Sequence, residues 1–353
     1  MNQQVRNGKI DLLKFIFSII VVIYHFNVGN YHYTLFIKGY VAVEFFFVTS
    51  GFLFARSLSK ITYNKETHMR DSFGFMKKKF ISLFPYHFFF FLACYISLIV
   101  KVPTISNAIT QLVKSVPDLF MMQMSGISNM DMLRYEWYIS AMLIFMFIIT
   151  PIAIKYRKAF FYYICPLIFV LLTGYLYQQK HDINFVRQWN GLCYQGLLRA
   201  AAEISLGCIC YAIYERKLFD KLPKAVLLII EFGIYTFIIL YSCKYFTKVN
   251  DYAILFMTAP AITISFSERS SVGFLNNRFI YFLGKLSLPI YLSQLFVRQF
   301  IEPVHFGSPA VHTAVYVSAV AAVSLLCILI TDNFIKAVKH ISKSRKSRQA
   351  EGK

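Results

Sequence analysis

Lysine 14 and histidine 25 share one long apolar stretch, IDLLKFIFSIIVVIYHF (10–26). Eleven residues of α-helix turn through about 1100°, some 20° past three full turns, so both side chains project from one face, separated by roughly 16 Å along the axis. An ionisable side chain inside a bilayer costs about 2.5–3.5 kcal/mol on insertion scales, which makes each one a functional candidate. The alternative for this pair is bland: Lys14 snorkels to lipid phosphates and His25 is a satisfied interfacial histidine. A second apolar stretch, GYVAVEFFFVTSGFLFA (39–55), brings Glu44 to about the depth of His25, because consecutive spans run in opposite directions. A carboxylate on an imidazole fixes its tautomer and supports a general base, so His25 and Glu44 are the expected catalytic pair. Otherwise, Glu44 faces outer water. Thr49, Ser50 and Gly51 form a small polar patch that permits close helix approach.

The run FMKKKFISLFPYH places Lys77, Lys78 and Lys79 directly before a span, with Pro85 in the first turns of that span. Three lysines at a boundary serve topogenesis, or hold the phosphates of an anionic ligand as point charges. Other embedded polar positions are Trp137, Tyr138 and Ser140; Arg199 and Glu203; and Lys285, Ser287, Tyr291 and Gln294. Arg199 and Glu203 are four apart, and pairing within one helix is their simplest reading. Trp137 suits a binding site or an interfacial aromatic belt equally.

The elements that position these residues follow from composition. Of 353 residues, 57% are hydrophobic and 15% charged, against about 25% charged in a soluble domain. Roughly 200 apolar residues fill about ten spans of about 20 residues each. The fold class expected is therefore an all-α polytopic integral membrane protein. Apolar runs fall at about 10–26, 40–58, 80–100, 136–154, 159–177, 194–214, 225–243, 252–267, 279–301 and 313–335, the eighth being short. Asp11 and Lys14 inside the first run, with no small-residue cleavage site after it, argue for a retained span over a signal peptide.

The formal charge is +20, and its distribution reflects topology rather than nucleic-acid binding. With the N-terminus inside, 25 basic residues sort to inner segments and 8 to outer ones: Lys38, Lys101, Lys114, Arg134, Lys180, Arg187, Lys244 and Lys248. That bias supports ten transmembrane helices with both termini cytoplasmic. The chain divides into a transmembrane domain, 1–335, and a basic cytoplasmic tail, 336–353, read as disordered. In the long outer segment, VPDLFMMQM reads as an interfacial stretch. The seven cysteines form no CxxC pair, so no metal site is expected. Phosphate loops, GxSxG elbows, HExxH pairs and HxxxxD acyltransferase signatures are all missing.

Several segments together resemble membrane acyltransferase family 3, whose members acylate hydroxyls of cell-surface polysaccharides. Lys14 and His25, with Asp11 ahead of them, look like its R/K-x10-H motif; VEFFFVTSGFLFA looks like its second-span block; and FMKKKFISLFPYH resembles its basic third-span start. WYISAMLI, LLRAAAEISLGCICY and LGKLSLPIYLSQ resemble later landmarks in the same order. The likeness covers nearly the whole chain. Departures fall at Lys79 and Ser82, where arginines are frequent, at Gln294, where a histidine is frequent, and at Ala141 and Met142, where a glutamate is frequent. No appended esterase-like domain is visible, which implies the stand-alone form.

The resemblance implies a bacterial plasma-membrane O-acetyltransferase. Acetyl-CoA, or another acyl-CoA, would be a co-substrate rather than a bound cofactor, and a surface polysaccharide or lipid-linked glycan the acceptor. Lys14, Lys77, Lys78, Lys79 and Lys285 would hold the CoA phosphates. His25 would act as general base or covalent acyl carrier, with Glu44 orienting it and Ser50, Trp137, Arg199, Tyr291 and Gln294 in binding or structural roles. The competing class is a transporter, flippase or polymerase for lipid-linked sugars, which ten spans with embedded charges also suit; no pair of Gly/Pro-broken spans at matching positions supports it.

Overall fold

The computed structural model describes residues 6–29, 35–101, 104–127, 132–179, 183–243, 249–304 and 306–351; Lys180, Lys244 and Lys248 lie outside them. Its helices are α1 (Gly8–Gly29), α2 (Ala42–Leu58), α3 (His68–Ile99), α4 (Ile105–Leu119), α5 (Trp137–Lys155), α6 (Arg157–Ala159), α7 (Cys165–Gln179), α8 (Gln195–Glu215), α9 (Lys224–Ser242), α10 (Asp251–Phe266), α11 (Arg278–Ile301) and α12 (Pro309–Glu351). A π-helical turn, Phe160–Ile164, joins α6 to α7 into one continuous rod. Among the described residues, nine helices are long and apolar enough to cross a membrane. The expected eighth span is α10, which has only 16 residues. At 1.5 Å per residue it measures about 24 Å, short of the roughly 30 Å hydrocarbon core. It is nonetheless buried along most of its length and packs on α2, α8 and α9.

Two close parallel crossings organise the bundle. Helices α2 and α8 touch through glycine: a Cβ on Gly51 would strike the backbone carbonyl of Ile204, and one on Gly207 that of Val48. Small residues let helix backbones approach where lipid supplies no hydrophobic drive. Helices α1 and α11 meet at Gly284, where a Cβ would run into the side chain of Asp11.

Side-chain contacts assign the helix ends to two faces. Asn7 donates to the carbonyl of Ser265 (2.8 Å), and Gly8 N–H donates to Asn276 (2.9 Å). Arg157 donates to the carbonyls of Leu58 and Ser59 at 3.0 and 3.1 Å. These bonds gather the start of α1, the ends of α2 and α10 and the region before α11 on one face. On the opposite face Lys38 bonds Tyr241 (2.8 Å) and Tyr40 bonds Asp251 (2.8 Å), joining the start of α2, the end of α9 and the start of α10.

Three expectations of extent are corrected. Helix α3 begins at His68, not near 80, and runs 32 residues through Pro85 without ending there. Helix α12 continues to Glu351, so the described part of the basic 336–353 segment is helical. The amphipathic element of this segment is α4, and VPDLFMMQM only begins at its end. Met121, Gln123 and Met124 are buried, because Gln123 donates to Glu136 (3.1 Å) and Ser140 accepts from Met124 N–H (2.9 Å), docking that segment into the bundle.

Candidate active site

His25 sits near the end of α1 and opens on a cavity of about 530 Å3. Its Nδ1 lies 2.7 Å from Oε1 of Gln294 on α11. The amide nitrogen of Gln294 donates to the carbonyl of Tyr291 (2.7 Å), a group that only accepts. That contact orients the amide: its oxygen must face the imidazole, so Nδ1 carries the hydrogen and donates. The Nε2 lone pair is left as the basic position.

The ring is held on other sides as well. Tyr135, in the turn before α5, stacks on it with ring centroids 4.1 Å apart and planes within 10°. Arg298, one turn beyond Gln294, donates to the backbone carbonyl of His25 and to the hydroxyl of Tyr135, both at 2.8 Å. The remaining nitrogens of Arg298 form a two-pronged pair with Glu302 (2.9 and 2.6 Å), which fixes the guanidinium plane and holds the Glu302 carboxyl below its ordinary range. Tyr291 donates to the carbonyl of Tyr135. Trp137, Asn184, Arg187 and Gln188 complete the walls, so the cavity offers aromatic faces, amides and guanidiniums around one imidazole.

A buried ion pair sets the Tyr135 segment. His87 on α3 places Nδ1 2.8 Å from the carboxylate of Glu136 and Nε2 3.1 Å from the carbonyl of Leu119. A carbonyl only accepts, so Nε2 donates, and a second proton lies between Nδ1 and the carboxylate. Glu136 is flanked in sequence by Tyr135 and Trp137, so this pair anchors both cavity residues.

Glu44 is not the partner of His25. It is fully buried against α8, where Arg199 donates both to it and to Glu203, the latter at 2.6 Å. Equal depth placed Glu44 beside His25, but the glycine contact between α2 and α8 turns it the other way. Arg199 also lies over the Trp137 ring, 5.4 Å from its centroid, which puts this cluster behind the cavity wall. Ser50 pairs with the hydroxyl of Tyr138 (2.8 Å), and Tyr138 meets Tyr291 edge to face.

The expected phosphate-binding lysines gather at the other end of the bundle. Lys14 is 4.0 Å from Asp11, and its charge repels that of Lys79. Lys77 and Lys78 are exposed. Lys285 is not a free cation: it pairs with Asp332 of α12 at 2.5 Å and contacts Tyr86. Sequence reasoning brought His25 and Gln294 forward but missed Tyr135, Arg298, Glu302 and the His87–Glu136 pair. Gln294, Arg298 and Glu302 at successive four-residue steps on one helix face were a usable signal.

The family model described as an acyltransferase domain matches residues 7–332, nearly the whole chain. The chain belongs to this acyltransferase family. No curated protein and no solved structure matches it. The acyltransferase carries His25 and its cavity among helices long and apolar enough to cross a membrane.

Proposed function

We propose that this acyltransferase moves an acyl group from acyl-CoA, acetyl-CoA foremost, to a hydroxyl of a cell-surface polysaccharide or its lipid-linked precursor in a bacterial plasma membrane. The observation that carries the reading is the Gln294 contact, which leaves Nε2 unprotonated on His25, a residue that lines an open cavity. In the reaction, Nε2 accepts the proton of the acceptor hydroxyl as its oxygen attacks the thioester carbonyl. The carbon–sulfur bond breaks, and the imidazolium returns the proton to the CoA thiolate. Gln294 supports the ring charge through its amide oxygen, and Tyr135 keeps the ring from rotating.

Donor and acceptor enter from opposite sides. With the termini cytoplasmic, as the charge sorting supports, Lys14 and Lys79 lie at the inner mouth to hold the CoA phosphates. The pantetheine arm then spans the roughly 16 Å rise along α1 to His25. The acceptor occupies the outer cavity, where Tyr24 and Trp137 offer faces for sugar rings and Asn184 and Gln188 offer hydrogen bonds. The test is transfer from radiolabelled acetyl-CoA, with succinyl-CoA in parallel, to surface polysaccharide or its lipid-linked precursor in membranes containing the protein. Label on the glycan supports the reading; no label from either donor sinks it.

A further inference from the structure

A second cavity, of about 400 Å3, lies between α3, α4 and α11 and shares no lining residue with the His25 cavity. Helix α4 forms one wall. Its residues Ile105, Ile109, Leu112, Val113 and Val116 are exposed, and their spacing of 4, 7, 8 and 11 residues makes one continuous apolar stripe. The polar side of the same helix supplies Gln111, Lys114 and Asp118 to the cavity. Such a helix lies in the plane of the membrane interface, stripe towards the acyl chains. The cavity therefore opens at headgroup level.

Its charge is the unusual feature. Lys114 comes from α4 and Lys101 from just beyond the end of α3 that is remote from Lys77–Lys79. Both are exposed, and among the described residues neither side chain makes a hydrogen bond or ion pair. Asp118 lines the same cavity but forms no ion pair with either: it is 2% exposed, and its carboxylate accepts from Met132 N–H at 3.2 Å. Gln299 of α11, on the far wall, is held by Ser97 at 2.8 Å, so the wall is a fixed polar surface. Basic residues are depleted on the outer side of membrane proteins. With the termini cytoplasmic this cavity is on that outer side, and two exposed lysines on its lining suit an anionic occupant.

We propose that this cavity seats the phosphate headgroup of an anionic membrane lipid, with Lys101 and Lys114 as its cations and the acyl chains lying along the α4 stripe. The site is independent of the acyl-transfer reading. It is tested by titrating dioleoyl-phosphatidylglycerol, with dioleoyl-phosphatidylcholine and soluble glycerol phosphate as separate arms, against the full chain in neutral detergent, read by native mass spectrometry. At about one kcal/mol per surface lysine, Lys101→Gln or Lys114→Gln should weaken phosphatidylglycerol binding about five-fold and the pair about thirty-fold. A control pair on the opposite face, Lys65→Gln with Lys221→Gln, should leave it unchanged. Equal losses in both pairs would mean diffuse surface attraction and overturn the site. Retention in the Lys101/Lys114 pair, equal binding of phosphatidylcholine, or equal binding of glycerol phosphate would also overturn it. All these lysines are exposed, so folding is expected to be preserved, and size-exclusion behaviour checks it.

Discussion

The ring of Tyr135 lies flat on the imidazole of His25, with centroids 4.1 Å apart and planes within 10° of parallel. Arg298 ties the two together by donating to the Tyr135 hydroxyl and the His25 carbonyl. A residue of the turn before α5 thus fixes the orientation of an imidazole on α1. Tyr135→Phe keeps the stack and loses one hydrogen bond, so acyl transfer should fall only a few-fold. Tyr135→Ala loses both and frees the ring, and kcat should fall roughly ten- to a hundred-fold. Equal activity of the alanine variant and wild type would remove Tyr135 from the site.

Gln294 sets the tautomer. Gln294→Leu leaves Nδ1 without its acceptor, and an unmet buried hydrogen bond of about 1–3 kcal/mol corresponds to a loss of roughly five- to a hundred-fold in kcat. Gln294→Glu keeps an acceptor in place and should retain activity within about ten-fold of wild type. Steady-state kinetics of both variants at saturating donor make the comparison. If leucine were harmless, Gln294 would be no more than a packing residue.

Helical periodicity made much of this arrangement legible. The spacing of Lys14 and His25 fixed their common face, and their own backbone needed no tertiary information. Glu44 shows where that reasoning stops. Depth in the membrane follows from position along a span, but direction around the helix depends on which neighbour it packs against. Glu44 and Gly51 are seven residues apart, about 20° short of two turns, so they share a face. Gly51 is the close contact to α8, and it carries Glu44 towards Arg199. Tyr135 was illegible for another reason. It lies in a short turn, where no periodicity indicates direction, and its place depends on the long-range pair of His87 with Glu136. The expected eighth run appears as α10, whose 16 residues leave it outside the nine long apolar helices among the described residues.

The Glu44–Arg199–Glu203 cluster carries a stability prediction. Arg199→Met leaves two buried carboxyl groups without their cation, and removing one partner of a buried pair costs about 3–5 kcal/mol. Thermal unfolding in detergent should show a large loss of stability or no folded protein. Glu44→Gln leaves Glu203 to neutralise Arg199, so that variant should stay folded with the milder loss. The reverse order of severity would mean that Glu44 acts elsewhere.

Donor binding should divide the lysines. Lys14→Gln and Lys79→Gln, at the end of the bundle remote from His25, should raise KM for acyl-CoA by about ten-fold while changing kcat less. Lys77→Gln and Lys78→Gln, which are exposed, should change KM less than about three-fold. Uniform effects across the four would point to general surface attraction of the donor.

The most direct measurement is acyl transfer by His25→Ala in membranes where insertion and folding are verified. Loss of general-base catalysis predicts a fall in kcat of about 10²–10⁴-fold, with the variant still folded. Transfer within about two-fold of wild type would contradict a catalytic role for His25, because the base contributes on that larger scale.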